Sequence, residues 1–342
     1  MALLLACPGA HAGVAPEEPP VSVSQPFSFD KKPNDTRRSL SGIACPDRTI
    51  TPRRCVAVFD EGVEARYVVL DGQSVRPEPG RIVLFPNGKE LDAEGAARDG
   101  PYVFVTGSFS VKRSTCAANP DSRRVVRFSV DPANGLAQHL PNGAPADLAS
   151  DEGRLWRLLT AHPTLRSFTG DNACLGGPPN GRHGVNIEGL AARNGWLYFG
   201  FRGPAVEGTA YILRVAADFL FSGGAPSHTL FTVPVGQGRG IRDLLAVPEG
   251  FLILVGPNDD LGNDAGWSIA FWDGALPGDG DGAVRVRVLA DLSLPSVRQN
   301  GCDKEAKPEA LAMIEDGPDF RRLLVLSDGM CDGGPLVFRV SK

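Results

Sequence analysis

No segment of this chain is both uncharged and apolar over the roughly 18–20 residues that a membrane-spanning helix needs. Lysine is scarce, 7 residues beside 28 Arg, and 40 acids against those 35 bases give a net charge of −5. That balance lacks the basic surface that nucleic-acid binding calls for. There is no C-x-x-C pair, which argues against a zinc ribbon or a thioredoxin-like centre. No G-x-S-x-G elbow occurs, so a serine hydrolase of the α/β type has no support. No glycine-rich phosphate loop joins a strand to a helix, which argues against nucleotide-driven phosphotransfer. Of His139, His162, His183 and His228, none stands at metal-ligand spacing from another.

What is present describes a folded chain of 342 residues, 42% hydrophobic and 22% charged, outside the disordered and membrane-embedded classes. Gly 41 and Pro 29 are about a fifth of the chain, so turns are many and elements short. Residues 1–12 read M-A-L-L-L-A-C-P-G-A-H-A, an apolar stretch ending in Ala10-His11-Ala12 like the tail of a secretory signal. Periplasmic or secreted placement follows as an expectation. The six cysteines beyond Cys7 agree with it, since an oxidising compartment permits disulfides. Of the 15 pairings that six cysteines allow, the simplest is sequential: Cys45–Cys55, Cys116–Cys174 and Cys302–Cys331.

The chain repeats itself. A short phrase recurs as S-G-I-A at Ser41, E-G-A-A at Glu94, E-G-L-A at Glu188, D-L-L-A at Asp243 and E-A-L-A at Glu309. After each come further β-branched and aromatic runs bounded by Gly, Pro, Asn and Asp, the signature of strands. Second strands start at Cys55, Tyr102, Trp196, Phe251 and Leu323, and third strands at Arg66, Arg124, Tyr211, Ser268 and Leu336. Fourth strands read from Arg81, weakly from Gly135, and from His228 and Val284. The last repeat has none, and the spare strand from Val21 is expected to pair with it and close the ring. The fold class is therefore all-β: a five-bladed β-propeller over residues 20–342 as a single domain. The 94-residue interval between the second and third phrases leaves a sixth blade possible. Its middle reads instead as a helical insertion near 150–168, with Leu155, Trp156, Leu158 and Leu159 at helical spacing and Ser150 as N-cap.

First strands of propeller blades line the central channel, so Ser41, Glu94, Glu188, Asp243 and Glu309 form a ring at one level. Four carboxylates in a narrow tunnel repel strongly unless neutralised. A hard cation is one solution, and Ca2+ accepts six to eight oxygen ligands of this kind. The alternative is neutralisation by Arg38, Arg242 and Lys307, which lie one to three positions before their aligned residues.

The phrases N-I-E-G-L-A at Asn186, F-R-G-P at Phe201, G-I-R-D-L at Gly240, K-P-E-A-L-A at Lys307 and L-S-D-G at Leu326 together resemble a family of exported bacterial propellers of unknown function, from about Ser41 to Lys342. The resemblance implies the fold and brings no established activity. More distantly, the E-G-L-A repeats are similar to those of esterase-like, phytase-like propellers, and the acidic ring resembles that of the calcium-dependent apyrases.

Lys112, Arg113, Arg202 and Arg239 flank the expected channel mouth, where arginine forks would grip phosphate or carboxylate. His183, just before a ring strand, is a candidate base. Asp60, Glu61 and Ser327-Asp328-Gly329 end second strands at the same rim. Gly278-Asp279-Gly280-Asp281-Gly282 lacks the closing Glu of an EF-hand and reads as a turn. Two functions compete on these residues. One is a calcium-dependent hydrolase of an anionic, phosphoester-like small molecule, with Glu188, Arg202 and His183 at the reaction. The other is a non-catalytic propeller, with a structural central ion, that binds a protein or glycan.

Overall fold

The computed structural model describes residues 13–46, 52–113, 115–170, 184–258, 265–278, 280–298 and 301–342. The repeats become five sheets of short strands, antiparallel except where the two-residue edge strands Ser22–Val23 and Gly282–Ala283 pair in parallel. The first blade holds β1 (Ser22–Val23), then, after helix α1 (Pro33–Arg37), β2 (Leu40–Ala44), β3 (Arg53–Phe59), β4 (Glu64–Leu70) and β5 (Ser74–Val83). The second holds β6 (Ala93–Asp99), β7 (Tyr102–Gly107), β8 (Val125–Ser129) and β9 (Ala149–Ser150), followed by helix α2 (Arg154–Ala161). The third holds β10 (Asn186–Arg193), β11 (Trp196–Gly203) and β12 (Thr209–Ala216), then helix α3 (Ala217–Ser222) and β13 (His228–Pro234). The fourth is β14 (Arg239–Val247), β15 (Gly250–Pro257) and β16 (Trp267–Trp272), with β17 (Gly282–Ala283) crossing to the edge of β13 before β18 (Arg287–Leu292) completes it. The fifth is β19 (Lys307–Asp316), β20 (Phe320–Asp328) and β21 (Leu336–Ser341).

Inner strands pack around one axis, β2 on β6, β6 on β10, β10 on β14, β14 on β19, and β19 back on β2. The molecule is a five-bladed β-propeller. Each blade is sandwiched between two others, so both faces of its strands are apolar. β15 is buried along its whole length, with Ile253 and Val255 in the cluster toward the third blade and Leu252 and Leu254 in the cluster toward the fifth. The glycine of the E-G-x-A phrase has a packing reason as well. A Cβ on Gly95 would lie 2.7 Å from the Glu188 carbonyl oxygen and 2.8 Å from the Leu190 Cβ on the next inner strand. Only glycine lets those two backbones approach so closely.

Three details depart from the sequence-based expectation. The spare strand does not pair with the last repeat as a fourth strand: Ser22 and Val23 run parallel to Ser74 and Val75 of β5, and the fifth blade keeps three strands. Pro16, Pro19 and Pro20 explain this, because they lack the N–H groups that a ladder along β21 would use. The segment instead straps three blades from outside. Val14 bridges Leu292, the Glu17 N–H donates to the Val337 carbonyl at 2.7 Å, and the Phe27 N–H donates to Asp332 Oδ1 at 2.9 Å. The fourth strand of the second blade is Ala149–Ser150 beside β8, not the run from Gly135. Ser150 is therefore spent on the sheet; the N-cap is Gly153, and Asp151, two positions before it, accepts the Leu155 N–H at 3.0 Å.

The interval that left room for a sixth blade holds α2 and a 3-10 turn at Leu165–Phe168 among its described residues. Leu155 and Leu159 of α2 enter the core between the second and third blades. Cys45–Cys55 and Cys302–Cys331 are disulfides. Cys116 is also disulfide-bonded, and its expected partner Cys174 lies outside the described residues. Among the described residues no helix is long and apolar enough to cross a membrane.

Candidate functional site

Near its start, the first strand of every blade carries one residue more than its partner. The register shifts fall between Leu40 and Gly42, Ala93 and Gly95, Ile187 and Gly189, Ile241 and Asp243, and Pro308 and Ala310. A bulge re-aims the extra side chain, and five of them at one level aim five side chains at the axis. They belong to Ser41, Glu94, Glu188, Arg242 and Glu309. The fourth member is thus a cation. Asp243, placed in the ring by the phrase D-L-L-A, stands one position on, where the other repeats have Gly or Ala. Its Oδ1 accepts the Leu244 N–H at 2.7 Å and its Oδ2 the Leu311 N–H at 2.6 Å, pinning β14 to β19. Burial raises its carboxyl well above the ordinary range against these bonds. The frame I-x-x-L, as in Ile187-Glu188-Gly189-Leu190 and Ile241-Arg242-Asp243-Leu244, carries the correct alignment.

Arg242 holds the ring together. Its Nε lies 2.8 Å from Glu188 Oε2 and its Nη2 binds Glu309 Oε1. Glu188 Oε1 accepts from Arg202 Nη1 at 2.9 Å and from Asn186 Nδ2 at 3.2 Å. All four charged groups of this Arg202–Glu188–Arg242–Glu309 chain are buried. Burial still pushes Glu309 up to about 8, against the pull of Arg242. The Ser41 hydroxyl donates to the Ser39 carbonyl at 3.2 Å.

Glu94 is different. Among the described residues its carboxylate has neither an ion pair nor a hydrogen bond, and burial, with Glu188, Asp92, Glu309 and Asp60 nearby, raises it well above the usual carboxylate range. Asp60 is raised in the same way, by burial and then by Asp328, Glu309 and Asp92. Asp92, two residues before Glu94 and absent from the sequence-based candidates, is raised by burial against a hydrogen bond from Ser108 and the charge of Arg113. Asp328 is raised by burial, with Lys307 3.6 Å away opposing. The mouth therefore has an acidic side on the first, second and fifth blades and guanidiniums on the third and fourth.

The remaining candidates scatter. Lys112 and Arg113 are exposed on the loop after β7; Lys112 acts on Glu90 and Arg113 on Asp92. Arg239 is lowered by burial and feels Asp291 of the outer strand, so it does not join the ring. Arg38 pairs with Asp35. His183 lies outside the described residues. Asp281 serves structure, its Oδ1 accepting the Leu230 N–H at 2.7 Å and its Oδ2 lying 3.2 Å from His162 Nε2.

A family model for proteins of unknown function, DUF3616, matches residues 80–141 and 138–333. The chain belongs to that family. Its DUF3616 match takes in the bulged positions of the second to fifth blades, so four of the five ring residues lie within it. No curated protein matches the sequence. Among solved structures, this DUF3616 chain is similar to arabinanase Arb43A of Bacillus subtilis, at 10% identity over 89% of this chain and 94% of that one, TM-score 0.37. It is also similar to a luciferin-regenerating enzyme, at 12% identity over 89% and 92%, TM-score 0.37. A third is the Malassezia sympodialis allergen Mala s 1, at 10% identity over 90% and 93%, TM-score 0.40.

Proposed function

We propose that this protein is a binding propeller working outside the cytoplasm, and that the channel mouth over Glu94 receives a positively charged group of its ligand. One observation carries the reading: among the described residues Glu94 is a ring acid left unpaired while its neighbour Glu188 is clamped by two arginines. A carboxyl raised by burial and like charges is ready to exchange its proton for an incoming cation. The disulfides support export.

Calcium is the hard cation that the sequence suggests, and the ring as a five-oxygen cage does not fit it. Arg242 supplies the neutralising charge, Glu188 and Glu309 point at its guanidinium, and Asp243 is spent on backbone N–H groups. Among the described residues, no three acidic, His or Cys side chains converge on one point. A cationic amine on a small molecule or protein partner needs only Glu94 with Asp92 or Asp60 beside it. Titration calorimetry with spermidine, and separately with calcium chloride, in two buffers of different ionisation enthalpy tests this. Spermidine binding with proton release, lost in Glu94→Gln, is the expected result. Absence of spermidine binding to the wild type sinks the reading.

Hydrolysis of an anionic phosphoester, with no calcium in the ring, is the second reading. It draws on Glu94 and Glu188 lying in one ring in opposite environments, the arrangement from which acid–base pairs are made. The arginines that would grip the anion, Arg202 and Arg242, are already held by carboxylates, which is why this reading stands second. Turnover of p-nitrophenyl phosphate that Glu188→Gln leaves unchanged would end it.

A further inference from the structure

Below the ring, the far ends of the inner strands open into a cavity of about 640 Å3, within the roughly 300–1,000 Å3 typical of small-molecule sites. Its lining includes the apolar residues Ile43, Ala97, Leu190, Leu244, Leu245 and Met313. Its charged lining, among the described residues, is three guanidiniums, Arg53, Arg98 and Arg193, against the single carboxylate Asp99. Asp99 is occupied, accepting the Gly195 N–H at 2.7 Å. Arg193 is held by neutral groups: its Nη2 donates to the Pro248 carbonyl at 2.9 Å, and its guanidinium lies 5.8 Å from the Phe251 ring centre. No carboxylate pairs with it among the described residues. Its position is fixed by uncharged partners, and its charge is left for a ligand.

We propose that this lower cavity is a second binding site, distinct from the Glu94 mouth, for a free carboxylate with a medium-length apolar tail. The head would meet Arg193 at the rim, where the planar fork suits a carboxylate, and the tail would lie against the aliphatic walls. A wholly polar anion such as inorganic phosphate would make the contact with Arg193 alone and leave the apolar part of the lining uncovered. The site is independent of the reading given to the upper mouth.

The test uses the full chain and the dye 1-anilinonaphthalene-8-sulfonate as a fluorescent probe, displaced by decanoate or by decanol. Saturable one-to-one dye binding, reversed by decanoate at concentrations at least tenfold below those needed for decanol, is the expected result. Arg193→Met keeps the aliphatic stem and removes the charge, and should weaken decanoate about tenfold, the value of one charge-assisted contact. Leu245→Trp should fill the cavity and abolish dye binding. If that variant fails to fold, Arg193→Met still decides the matter. Equal displacement by decanol, or unchanged decanoate affinity in Arg193→Met, overturns the proposal. So does loss of decanoate binding in Arg202→Met with retention in Arg193→Met, which would move the anion to the upper mouth.

Discussion

Arg242 on the fourth blade and Glu188 on the third meet between adjacent inner strands, Nε to Oε2, at 2.8 Å. The same guanidinium reaches Glu309 on the fifth blade, so one side chain ties three blades at their common centre. Three carboxylates on the ring would repel one another; the arginine on the fourth bulge turns part of that repulsion into cohesion.

Removing that side chain should be costly. Arg242→Met leaves Glu188 and Glu309 buried with less compensation, a change that typically costs about 3–5 kcal/mol. Urea denaturation should show the midpoint fall, and Arg242→Met combined with Glu309→Gln should recover part of the loss. A single variant as stable as the wild type would mean that water screens the ring.

Stability should fall as pH rises toward the alkaline side. Glu309 titrates near 8 in the folded chain and at about 4.3 when unfolded. Asp60, Glu94 and Asp243 are raised in the same direction. Between those limits the native state binds more protons than the unfolded one, so the contribution of Glu309 is fully present below about 4.3 and lost as pH climbs through about 8, and the other three act in the same direction. Melting temperatures should therefore be lower at pH 8.5 than at pH 5.5, and Glu309→Gln should flatten the profile. A rise in melting temperature across that interval would contradict these assignments.

Gly95→Ala should destabilise the propeller although it adds a single methyl group. The new Cβ would press on the Glu188 carbonyl and the Leu190 side chain, and forced overpacking costs about 1–3 kcal/mol. Chemical denaturation reads this directly; a neutral outcome would show that the second and third blades can move apart freely.

The strap over the seam between the fifth and first blades can be loosened at Asp332. That carboxylate accepts the Phe27 N–H and pairs with Arg37. Asp332→Ala should speed tryptic cleavage at the exposed Lys31 and Lys32 severalfold and lower stability by about 1–3 kcal/mol. Cleavage at the wild-type rate would assign the hold to Phe27, which packs edge-on against Phe59 at 5.1 Å.

Much of the architecture was legible because it is local and repeated. Strand periodicity, five copies of one phrase and turn residues at regular intervals predict five blades, and the helix at Arg154–Ala161 follows from the spacing of Leu155 and Leu159. Disulfides within a segment, such as Cys45–Cys55, were readable for the same reason. Legibility failed where one residue decided an orientation. Aligning D-L-L-A by its acid put Asp243 on the axis, whereas the bulge put Arg242 there, because a one-residue shift in a strand reverses the face of every side chain. The closing strand failed for a related cause: its apolar alternation suggested a ladder, and its prolines sent it along the outside instead.

By itself the sequence determined the repeat, and with it the fold, since those depend on patterns that recur every few residues. It also placed acids at the axial level of the second, third and fifth blades. Only the tertiary structure decided that an arginine binds two of them and, among the described residues, leaves Glu94 alone. That outcome depends on side chains from blades more than fifty residues apart meeting within 3 Å, a geometry set by the closure of the ring.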